Sequence, residues 1–383
     1  MLNILIVRCN ANKLQKNSGG EERFTTLVEA LTDHNLTVFS LSWSMESFEG
    51  ILQNNIKYIS PSIPSIAVRK YKTLMSKNPP PTHDIMFLLN KPYLKEIQQQ
   101  ITDLANNSDI VILDAHHPSV LLDDVKVPII YNSHNAELFC AKQVYGISGF
   151  IEKNIKKVEE TAVKKSSAVT YCSETDFNIL QELYGNIKKS MYVPNGSTKK
   201  EQIDYKKRIN SKDIIFVGSN YVPNIEAAQS IIKIAKLVPE KNFIIIGGCG
   251  YKIDKKTISD NVKITGFIDE EELDLYFSNS FAFINPIGSG SGTHLKLMKA
   301  LAYGLPIISS STGSRGFSKD EINDSMILSE SVDEFISAIK FLEIEENFKE
   351  KSENSYKSFN NYDWEVIKKQ YKAFVEDVVK NKH

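Results

Sequence analysis

Short, continuously apolar runs alternate along the chain with longer amphipathic stretches, and this alternation constrains the fold more than any other feature. In the first half the runs are NILIVR (3–8), LTVFSLS (36–42), DIVILD (109–114), PIIYNS (128–133), AVTYCS (168–173) and SMYVPN (190–195). In the second half they are DIIFVGS (213–219), NFIIIGG (242–248), VKITGF (262–267), SFAFINP (280–286) and PIISSS (306–311). Strands that are apolar on both faces and separated by helices form parallel sheets covered on both sides. We therefore predict two doubly wound α/β domains.

A polar segment separates the two series. STKKEQIDYKKRINSK (197–212) contains six basic residues and almost no apolar ones, which is typical of a linker. A chain of 383 residues also exceeds the usual size of a single hydrophobic core. We predict a first domain over 1–200, a second over 201–361 and an amphipathic helix over 362–383. The expected anchors of this helix are Trp364, Val366, Tyr371, Phe374 and Val378.

Composition excludes several classes of protein. The net charge is −1 at pH 7, so nothing global indicates nucleic-acid binding, and any basic site has to be local. The four cysteines are far apart with no CxxC pair, which indicates reduced thiols in a cytoplasmic protein. The first residues, MLNILIVRC, do not have the pattern of a signal peptide. No apolar run approaches the roughly 18 residues that a membrane span needs.

A glycine pair follows the first predicted strand, at the edge where open α/β sheets bind ligands. Gly19 and Gly20 lie in NSGGEERF (17–24), directly before a helix whose N-terminus offers free amides to an anion. A plain turn is the alternative interpretation. The loop lacks the GxGxxG pattern and so does not indicate NAD or FAD.

Polar residues follow two further strands of the first half. They are His116 and His117 in DAHHPS (114–119), and His134, Asn135 and Glu137 in NSHNAE (132–137). A structural role is the favoured interpretation for His116 and His117, whereas a functional role is favoured for His134. No set of residues has convincing zinc spacing, no DxD pair indicates a metal beside a nucleotide, and no GxSxG elbow is present. The sequence therefore predicts neither a metal site nor ordinary hydrolase chemistry.

The segment GSGSGTHLKLMKALAYGLP (288–306) is the most specific pattern of the second half. Its glycines precede a helix predicted over about 293–303, with Gly304 at the C-terminal end. A cation in the first turn, where His294 and Lys296 lie, is unfavourable beside the helix dipole unless an anion binds there. Free amides, glycines that admit close approach and a lysine suit a diphosphate. An ordinary solvated lysine face is the alternative.

Together these segments resemble the GT-B glycosyltransferases of group 1, family 4, which transfer sugars from nucleotide donors with retention. The resemblance rests on SGGEER (18–23), on AVTYCSETDFNIL followed by MYVPNGS, on DIIFVGSNYVPNIEAA and on the run GFIDEEELDLYF to SSSTGSRGF (266–317). It implies two Rossmann-like doubly wound domains facing across a cleft. The first would bind the acceptor and the second the nucleotide sugar. YDWEVI (362–367) resembles a closing helix that crosses back to the first domain.

The resemblance also implies roles for individual residues. His134 is expected near the transferred sugar and Lys296 at the diphosphate, which makes them the expected catalytic residues. Gly19 and Gly20 are expected over the donor phosphates and the acceptor. Further residues expected at the donor are Gly218, Ser219, Gly290, Ser291, Gly292, Thr293 and Lys299, while His116, His117, Asn135 and Glu137 are candidates on the acceptor side. No cofactor and no metal is expected, because amides and Lys296 can stabilise the departing diphosphate.

Two departures from the family pattern leave the function open. Ser219, Asn220 and Tyr221 stand where the family usually has basic residues, and Lys299 replaces a glutamate that accepts hydrogen bonds from the donor ribose. Lysine only donates. An active glycosyltransferase is favoured over a partner or scaffold subunit that has lost donor binding, and over an enzyme whose donor carries extra negative charge. A GT-B epimerase or phosphorylase is disfavoured.

The acceptor is the least constrained part. By analogy with the family we expect a glycan, lipid-linked or protein acceptor in bacterial surface polysaccharide or glycoconjugate synthesis. The basic and apolar segments 62–77 and 149–165 are compatible with contact to the cytoplasmic face of an anionic membrane. Ordinary solvated helix faces are the favoured interpretation of both.

Overall fold

The computed structural model describes residues 1–9, 14, 19–76, 80–185, 187–254, 256, 258–289 and 295–381. The chain divides into two compact units. Unit 1 comprises residues 1–193 and 367–383, and unit 2 comprises residues 194–366. The division thus falls between Val193 and Pro194, whereas the sequence predicts it after residue 200.

Within the described residues, unit 1 is built on an eight-stranded sheet. Its strands are β1 (Asn3–Arg8), β2 (Asn35–Ser40), β3 (Phe48–Ile51), β4 (Lys57–Ser60), β5 (Ile110–Asp114), β6 (Ile129–Asn132), β7 (Ala168–Tyr171) and β8 (Ser190–Tyr192). Its helices are α1 (Gly19–Glu29), α2 (Ser65–Met75), α3 (Met86–Asn90), α4 (Lys95–Asn106), α5 (Glu137–Tyr145), α6 (Gly149–Lys165) and α7 (Glu174–Tyr184). The strand order is β3-β4-β2-β1-β5-β6-β7-β8, and the strands are parallel except that β3 is antiparallel to β4.

In unit 1 the strands β1 to β4 extend towards one edge of the sheet and those from β5 onward towards the other edge, so the strand order reverses between the parallel strands β1 and β5. Residues 4–7 of β1 and 110–113 of β5 are buried, because helices cover both faces of the sheet and leave these central strands no solvated side. At such a reversal the loops after the two neighbouring strands run to opposite faces and open a crevice for ligands. The ends of β1 at Arg8 and of β5 at Asp114 therefore mark the expected binding edge of unit 1.

The sheet of unit 2 has six strands in the described part of the chain, all parallel. They are β9 (Asp213–Val217), β10 (Asn242–Ile246), β11 (Val262–Gly266), β12 (Ala282–Asn285), β13 (Ile307–Ser309) and β14 (Met326–Leu328). The helices are α8 (Val222–Ala235), α9 (Glu270–Asn279), α10 (Leu295–Ala302), α11 (Lys319–Ser325), α12 (Val332–Leu342) and α13 (Glu345–Ser358). The order β11-β10-β9-β12-β13-β14 is the Rossmann order, with its reversal between β9 and β12. The prediction of two doubly wound α/β sheets is confirmed.

The strands β3, β4 and β14 were not predicted. β3 and β4 form an antiparallel edge, where Lys57 and Glu49 pair across the strands at 2.8 Å. Edge strands carry charges that interrupt the apolar pattern. β14 has only three residues. Each therefore lacks the continuous apolar run on which the prediction rested.

The last helix, α14 (Trp364–Lys380), begins in unit 2 and belongs to unit 1 from Ile367 onward. Its buried apolar residues are Trp364, Ile367, Tyr371, Val375 and Val378. Val366 and Phe374 were wrongly expected to be anchors: Val366 is 41% exposed and Phe374 is half-buried. Both lie beside the stripe that a period of 3.6 residues defines.

The sequence predicts reduced cysteines and contains no apolar run long enough to span a membrane. Cys140, Cys172 and Cys249 are buried, Cys9 is half-buried, and no disulfide joins these four described residues. None of the helices in the described ranges combines the length and apolarity that crossing a bilayer requires.

The polar segment 197–212 contains a buried arginine, which a plain linker would not. Arg208 is fully buried, and burial lowers its pKa to about 10. Its Nε donates to the carbonyl of Ser278 at 2.9 Å, and its Nη1 donates to the carbonyl of Gly304 at 3.0 Å. Arg208 therefore ties the start of unit 2 to the ends of α9 and α10.

Replacing Arg208 with methionine should remove both hydrogen bonds and destabilise unit 2 by about 2–3 kcal/mol. Urea unfolding of wild type and variant measures this loss. Lys207→Met is the matched control, because Lys207 is exposed one residue away, and we expect it to change stability by less than about 0.5 kcal/mol. Equal effects of the two substitutions would contradict the role of Arg208.

Candidate functional site

Glycines bring the loops after β9 and β10 of unit 2 into close contact. A Cβ on Gly247 would lie 2.5 Å from the carbonyl oxygen of Gly218, and Gly247 has a φ of +96°. A Cβ on Gly218 would lie 2.9 Å from the Cβ of Asn224, and one on Gly248 would lie 3.1 Å from the backbone nitrogen of Asn220. A larger residue at Gly247 cannot fit without moving backbone, and one at Gly218 or Gly248 requires its neighbours to shift. The carboxyl end of this sheet therefore presents backbone groups next to its reversal point.

Lys296 lies at the start of α10, beside these loops. Its Nζ donates to Oδ1 of Asn224 at 2.7 Å and lies 4.4 Å from the ring centroid of Phe216. Asn224 in turn donates to the backbone oxygen and to the hydroxyl of Ser219, at 3.3 and 3.2 Å. Burial lowers the pKa of Lys296 to about 7. Among the described residues Lys296 forms no ion pair, so this half-buried amine is suited to an anionic ligand.

The structure therefore brings together Gly218, Ser219 and Lys296, three of the residues expected at the donor. Gly290, Ser291, Gly292, Thr293 and His294 lie outside the described residues. The predicted end of α10 is confirmed, because Gly304 has a φ of +60°.

Lys299 of α10 is paired with carboxylates. It forms an ion pair with Glu270 and a second one, at 2.8 Å, with Asp274 of α9. Lys200 also pairs with Asp274, at 2.7 Å. Burial alone would raise the pKa of Asp274, but hydrogen bonds from Lys200, Lys299 and Tyr303 lower it to about 2. The charge of Lys299 is thus already compensated within unit 2.

In unit 1, His134 is held by a buried carboxylate at the reversal point of the sheet. Nε2 of His134 lies 2.9 Å from Oδ1 of Asp114, the last residue of β5. Burial alone would raise the pKa of Asp114, but His134, Arg8 and Arg23 lower it below 3.8. Ala115, which follows, has a φ of +71°, an unusual conformation for a residue with a side chain. The ionised Asp114 fixes the orientation of the His134 ring.

His116 and His117 lie beside a second carboxylate. Nε2 of His117 is 2.9 Å from Oδ1 of Asp84, and the His116 and His117 ring centroids are 4.2 Å apart. Burial lowers the pKa of His116 well below 6.5 and that of His83 to about 4. Burial alone would raise the pKa of Asp84, but His117 and the other imidazoles lower it. The cluster therefore combines a carboxylate with three imidazoles, of which burial disfavours the charged forms of His83 and His116.

Glu137 begins α5 and has an unusual environment. Burial, reinforced by Asp84 and Glu159, raises the pKa of Glu137 well above 4.5. Asn135 donates to its side chain at 3.2 Å. Glu159 accepts bonds from the backbone nitrogens of Glu137 and Leu138 and from the Tyr184 hydroxyl. Asn135 and Glu137 thus lie at the carboxyl edge of the sheet, where the sequence placed them.

The two glycines predicted after β1 are less informative. α1 begins at Gly19, and a Cβ on Gly20 would meet nothing within 4 Å. Space therefore does not require glycine at position 20. The guanidinium of Arg8, at the end of β1, lies 3.5 Å from the ring centroid of Phe24. This arrangement places a buried cation near the start of α1.

Several residues of these sites were missed by the sequence reasoning. They are Asp84, Asp114, Gly247, Gly248 and Asn224. Asp114 is the terminal residue of DIVILD and Gly247 directly follows NFIII, so a systematic inspection of strand ends would have found them. Asp84 precedes no predicted strand and follows none. Only the folded chain shows that it meets His117.

Comparison with known proteins identifies what the second half is similar to. Residues 211–343 match the sequence profile of the family described as glycosyl transferases group 1. No curated protein matches the chain as a sequence.

Solved structures match almost the whole chain. A sucrose-phosphate synthase from Thermosynechococcus elongatus superposes with a TM-score of 0.76 at 13% identity, covering 98% of this chain and 99% of its own. A UDP-forming α,α-trehalose-phosphate synthase from Burkholderia vietnamiensis has a TM-score of 0.72 at 12% identity, covering 99% and 98%. Anabaena HepE in complex with UDP has a TM-score of 0.70 at 12% identity, covering 98% and 100%. The chain has the GT-B fold, and its resemblance to group 1 glycosyltransferases is confirmed over residues 211–343.

The environment of Lys296 predicts a pH-dependent stability. Its pKa is about 7 in the folded protein against 10.5 for an ordinary lysine, so between these values the unfolded chain holds a proton that the folded chain lacks. Stability then rises with pH across this window. Lys296→Met removes the dependence, so its stability relative to wild type should be highest below pH 7 and decline towards pH 10.5. Thermal unfolding from pH 6 to 10 measures it, and a difference independent of pH would contradict this assignment.

Proposed function

We propose that this chain is a glycosyltransferase that moves a sugar from a nucleotide-diphosphate donor to a glycan, lipid-linked or protein acceptor. The observation that carries the proposal is Lys296, which forms no ion pair within the described part of the chain and is held by Asn224 beside the Gly218 loop at the reversal point of a Rossmann sheet. The profile match over residues 211–343 and the GT-B fold support it.

The chemistry expected in unit 2 is stabilisation of a departing nucleoside diphosphate. Negative charge grows on the diphosphate as the bond to the sugar breaks, and prearranged donors stabilise that charge. Lys296 supplies a cation, and the glycine loops allow a ligand to approach backbone amides. This donor site needs no metal ion. UDP is the first nucleotide to test, because HepE was solved with UDP and with UDP-glucose and the trehalose-phosphate synthase is UDP-forming.

His134 is the residue of unit 1 that we assign to the transferred sugar. Asp114 holds its ring, so the second ring nitrogen is available to a sugar hydroxyl. Retention of configuration, an acceptor bound by unit 1 and a role in bacterial surface polysaccharide or glycoconjugate synthesis belong to the proposal by resemblance to the family. So does contact with the cytoplasmic face of the membrane, for which the exposed Phe150 on the basic helix α6 is the best support.

Lys296→Gln should weaken UDP binding by about 10- to 100-fold, because a charge-assisted bond to a phosphate is lost. Calorimetric titration with UDP at pH 8 measures the affinity. An anion beside Lys296 also raises its pKa, so wild-type binding should take up protons, and titrations in two buffers of different ionisation enthalpy detect this. The uptake should vanish in the variant.

Lys241→Met provides the matched control for that experiment. Lys241 is also a buried lysine over an aromatic ring of unit 2, 3.7 Å from the centroid of Phe281, but it precedes β10 and lies at the amino edge of the sheet. We expect it to leave UDP affinity unchanged. Failure of UDP, GDP, ADP, CMP and dTDP alike to bind wild type would refute the donor site.

A scaffold or partner subunit is the second candidate function, and Lys299 is the observation that favours it. A lysine paired with Glu270 and Asp274 cannot accept bonds from a ribose. The ion pairs of Lys299 with Glu270 and Asp274 also argue against a donor with extra negative charge at this position. Two carboxylates already compensate the charge of Lys299.

Lys299→Glu combined with Glu270→Gln separates the two functions. The single change would place three carboxylates together, so Glu270→Gln removes one of them. If Lys299 supports an active site through Asp274, sugar transfer or donor hydrolysis should fall by about tenfold or more. A gain of activity over an inactive wild type would instead favour lost donor binding. Lys263→Glu is the control for charge reversal and should change the activity little. Lys263 lies on β11 and donates to the Tyr276 hydroxyl.

A further inference from the structure

We propose that His83, Asp84 and His117 of unit 1 form a binding site for a divalent transition-metal ion of the zinc class. His83 and Asp84 lie in the 3-10 segment Pro80–Ile85, and His117 begins the 3-10 segment that follows β5. The two segments meet at the carboxyl end of β5, beside the reversal point of the sheet. The proposal concerns unit 1 alone and does not depend on the proposed transferase activity.

The distances among the three residues fit a single ion. One ligand atom from each residue lies within 4.8 Å of those of the other two, and the His117 Nε2 to Asp84 Oδ1 distance is 2.9 Å. In a tetrahedral zinc site with bonds of about 2.0–2.1 Å, ligand atoms lie about 3.4 Å apart. The distance from His117 to Asp84 is somewhat below this value, and none of the distances among the three ligand atoms exceeds 4.8 Å. Small side-chain rotations therefore suffice to place all three atoms around one ion.

The chemistry of the three ligands selects the class of ion. Two imidazole nitrogens with one carboxylate suit zinc and its neighbours in the transition series, whereas magnesium and calcium prefer oxygen ligands alone. Two histidines and one carboxylate also leave a fourth position for water or a substrate hydroxyl, as in catalytic zinc sites. The side chains of His117 and Asp84 are 17% and 19% exposed, so an ion can enter from solvent.

The surroundings hold the ligands in place but leave polar atoms unsatisfied. The His83 and His117 rings pack edge to face with their centroids 5.2 Å apart, and the His116 ring lies 4.2 Å from that of His117. Nδ1 of His117 and both ring nitrogens of the buried His116 have no hydrogen-bond partner among the described residues. Buried nitrogens without partners are costly and call for an explanation. A purely structural His–Asp pair does not need two more imidazoles in contact with it.

The test is a titration of the metal-free full chain with Zn²⁺, followed by calorimetry, and with Co²⁺, followed by visible absorbance. We expect one ion per chain, a rise in the unfolding temperature with Zn²⁺ and no rise with Mg²⁺. Asp84→Asn and His117→Gln should each weaken Zn²⁺ binding by about 100-fold or more. Asp84→Asn is nearly isosteric, so it separates loss of a ligand from loss of the fold.

His34→Gln is the matched control for these variants. His34 is also a histidine of unit 1 beside a carboxylate, with its Nε2 3.3 Å from Glu376, but among the described residues it belongs to no metal-binding group. It should bind Zn²⁺ like wild type. The absence of stoichiometric binding to wild type would overturn the proposal. Equal binding by wild type, Asp84→Asn and His117→Gln would also overturn it.

Discussion

The close contact between the loops after β9 and β10 is the constraint on which the candidate site of unit 2 depends. The Gly218 carbonyl faces Gly247 at a distance that leaves no room for a Cβ, and it accepts a bond from the Cys249 backbone nitrogen at 3.1 Å. The same closeness keeps Gly218 against Asn224, whose side chain holds both Ser219 and Lys296. A side chain at either glycine would separate the loops and thereby release the lysine from its partner.

Two lysines about one helical turn apart on α10, Lys296 and Lys299, have opposite electrostatic environments. Among the residues that the structure describes, Lys296 has a neutral amide and an aromatic face as partners, neither of which cancels a positive charge. Lys299 has two carboxylates, and Lys200 and Tyr303 share Asp274 with it. A half-buried cation without a counter-ion costs stability unless a ligand compensates it. The same helix thus offers charge to a ligand at one position and uses charge for internal packing at the next.

The repeating pattern of apolar runs was enough to predict both sheets, because strands buried on two faces leave an unbroken apolar signature. Edge strands such as β3 have no such signature. The local sequence around Arg208 is that of a solvated linker, because its two carbonyl partners lie about 70 and 96 residues further along the chain. The same reason explains the site. Lys296, Gly218 and His134 are recognisable from local sequence, whereas Asn224 and Asp84 acquire their partners only when distant segments meet. Local pattern therefore predicted that these residues follow strands of the two sheets, but could not predict their partners.

Unit 1 places two similar histidine–carboxylate pairs at one edge of its sheet, and their surroundings distinguish them. Asp114 lies near Arg8 and Arg23, which favour its ionised form and so keep His134 oriented by a fixed negative charge. Apart from burial, the groups that shift the pKa of Asp84 most are the imidazoles of His117, His116 and His83. A carboxylate surrounded by arginines has its charge compensated already and gains little from a metal ion. A carboxylate with imidazole neighbours lies instead beside nitrogen atoms that can bind a metal ion together with it. The same pair of residue types is therefore compatible with both proposals, sugar hydroxyls at His134 and a metal ion at His117.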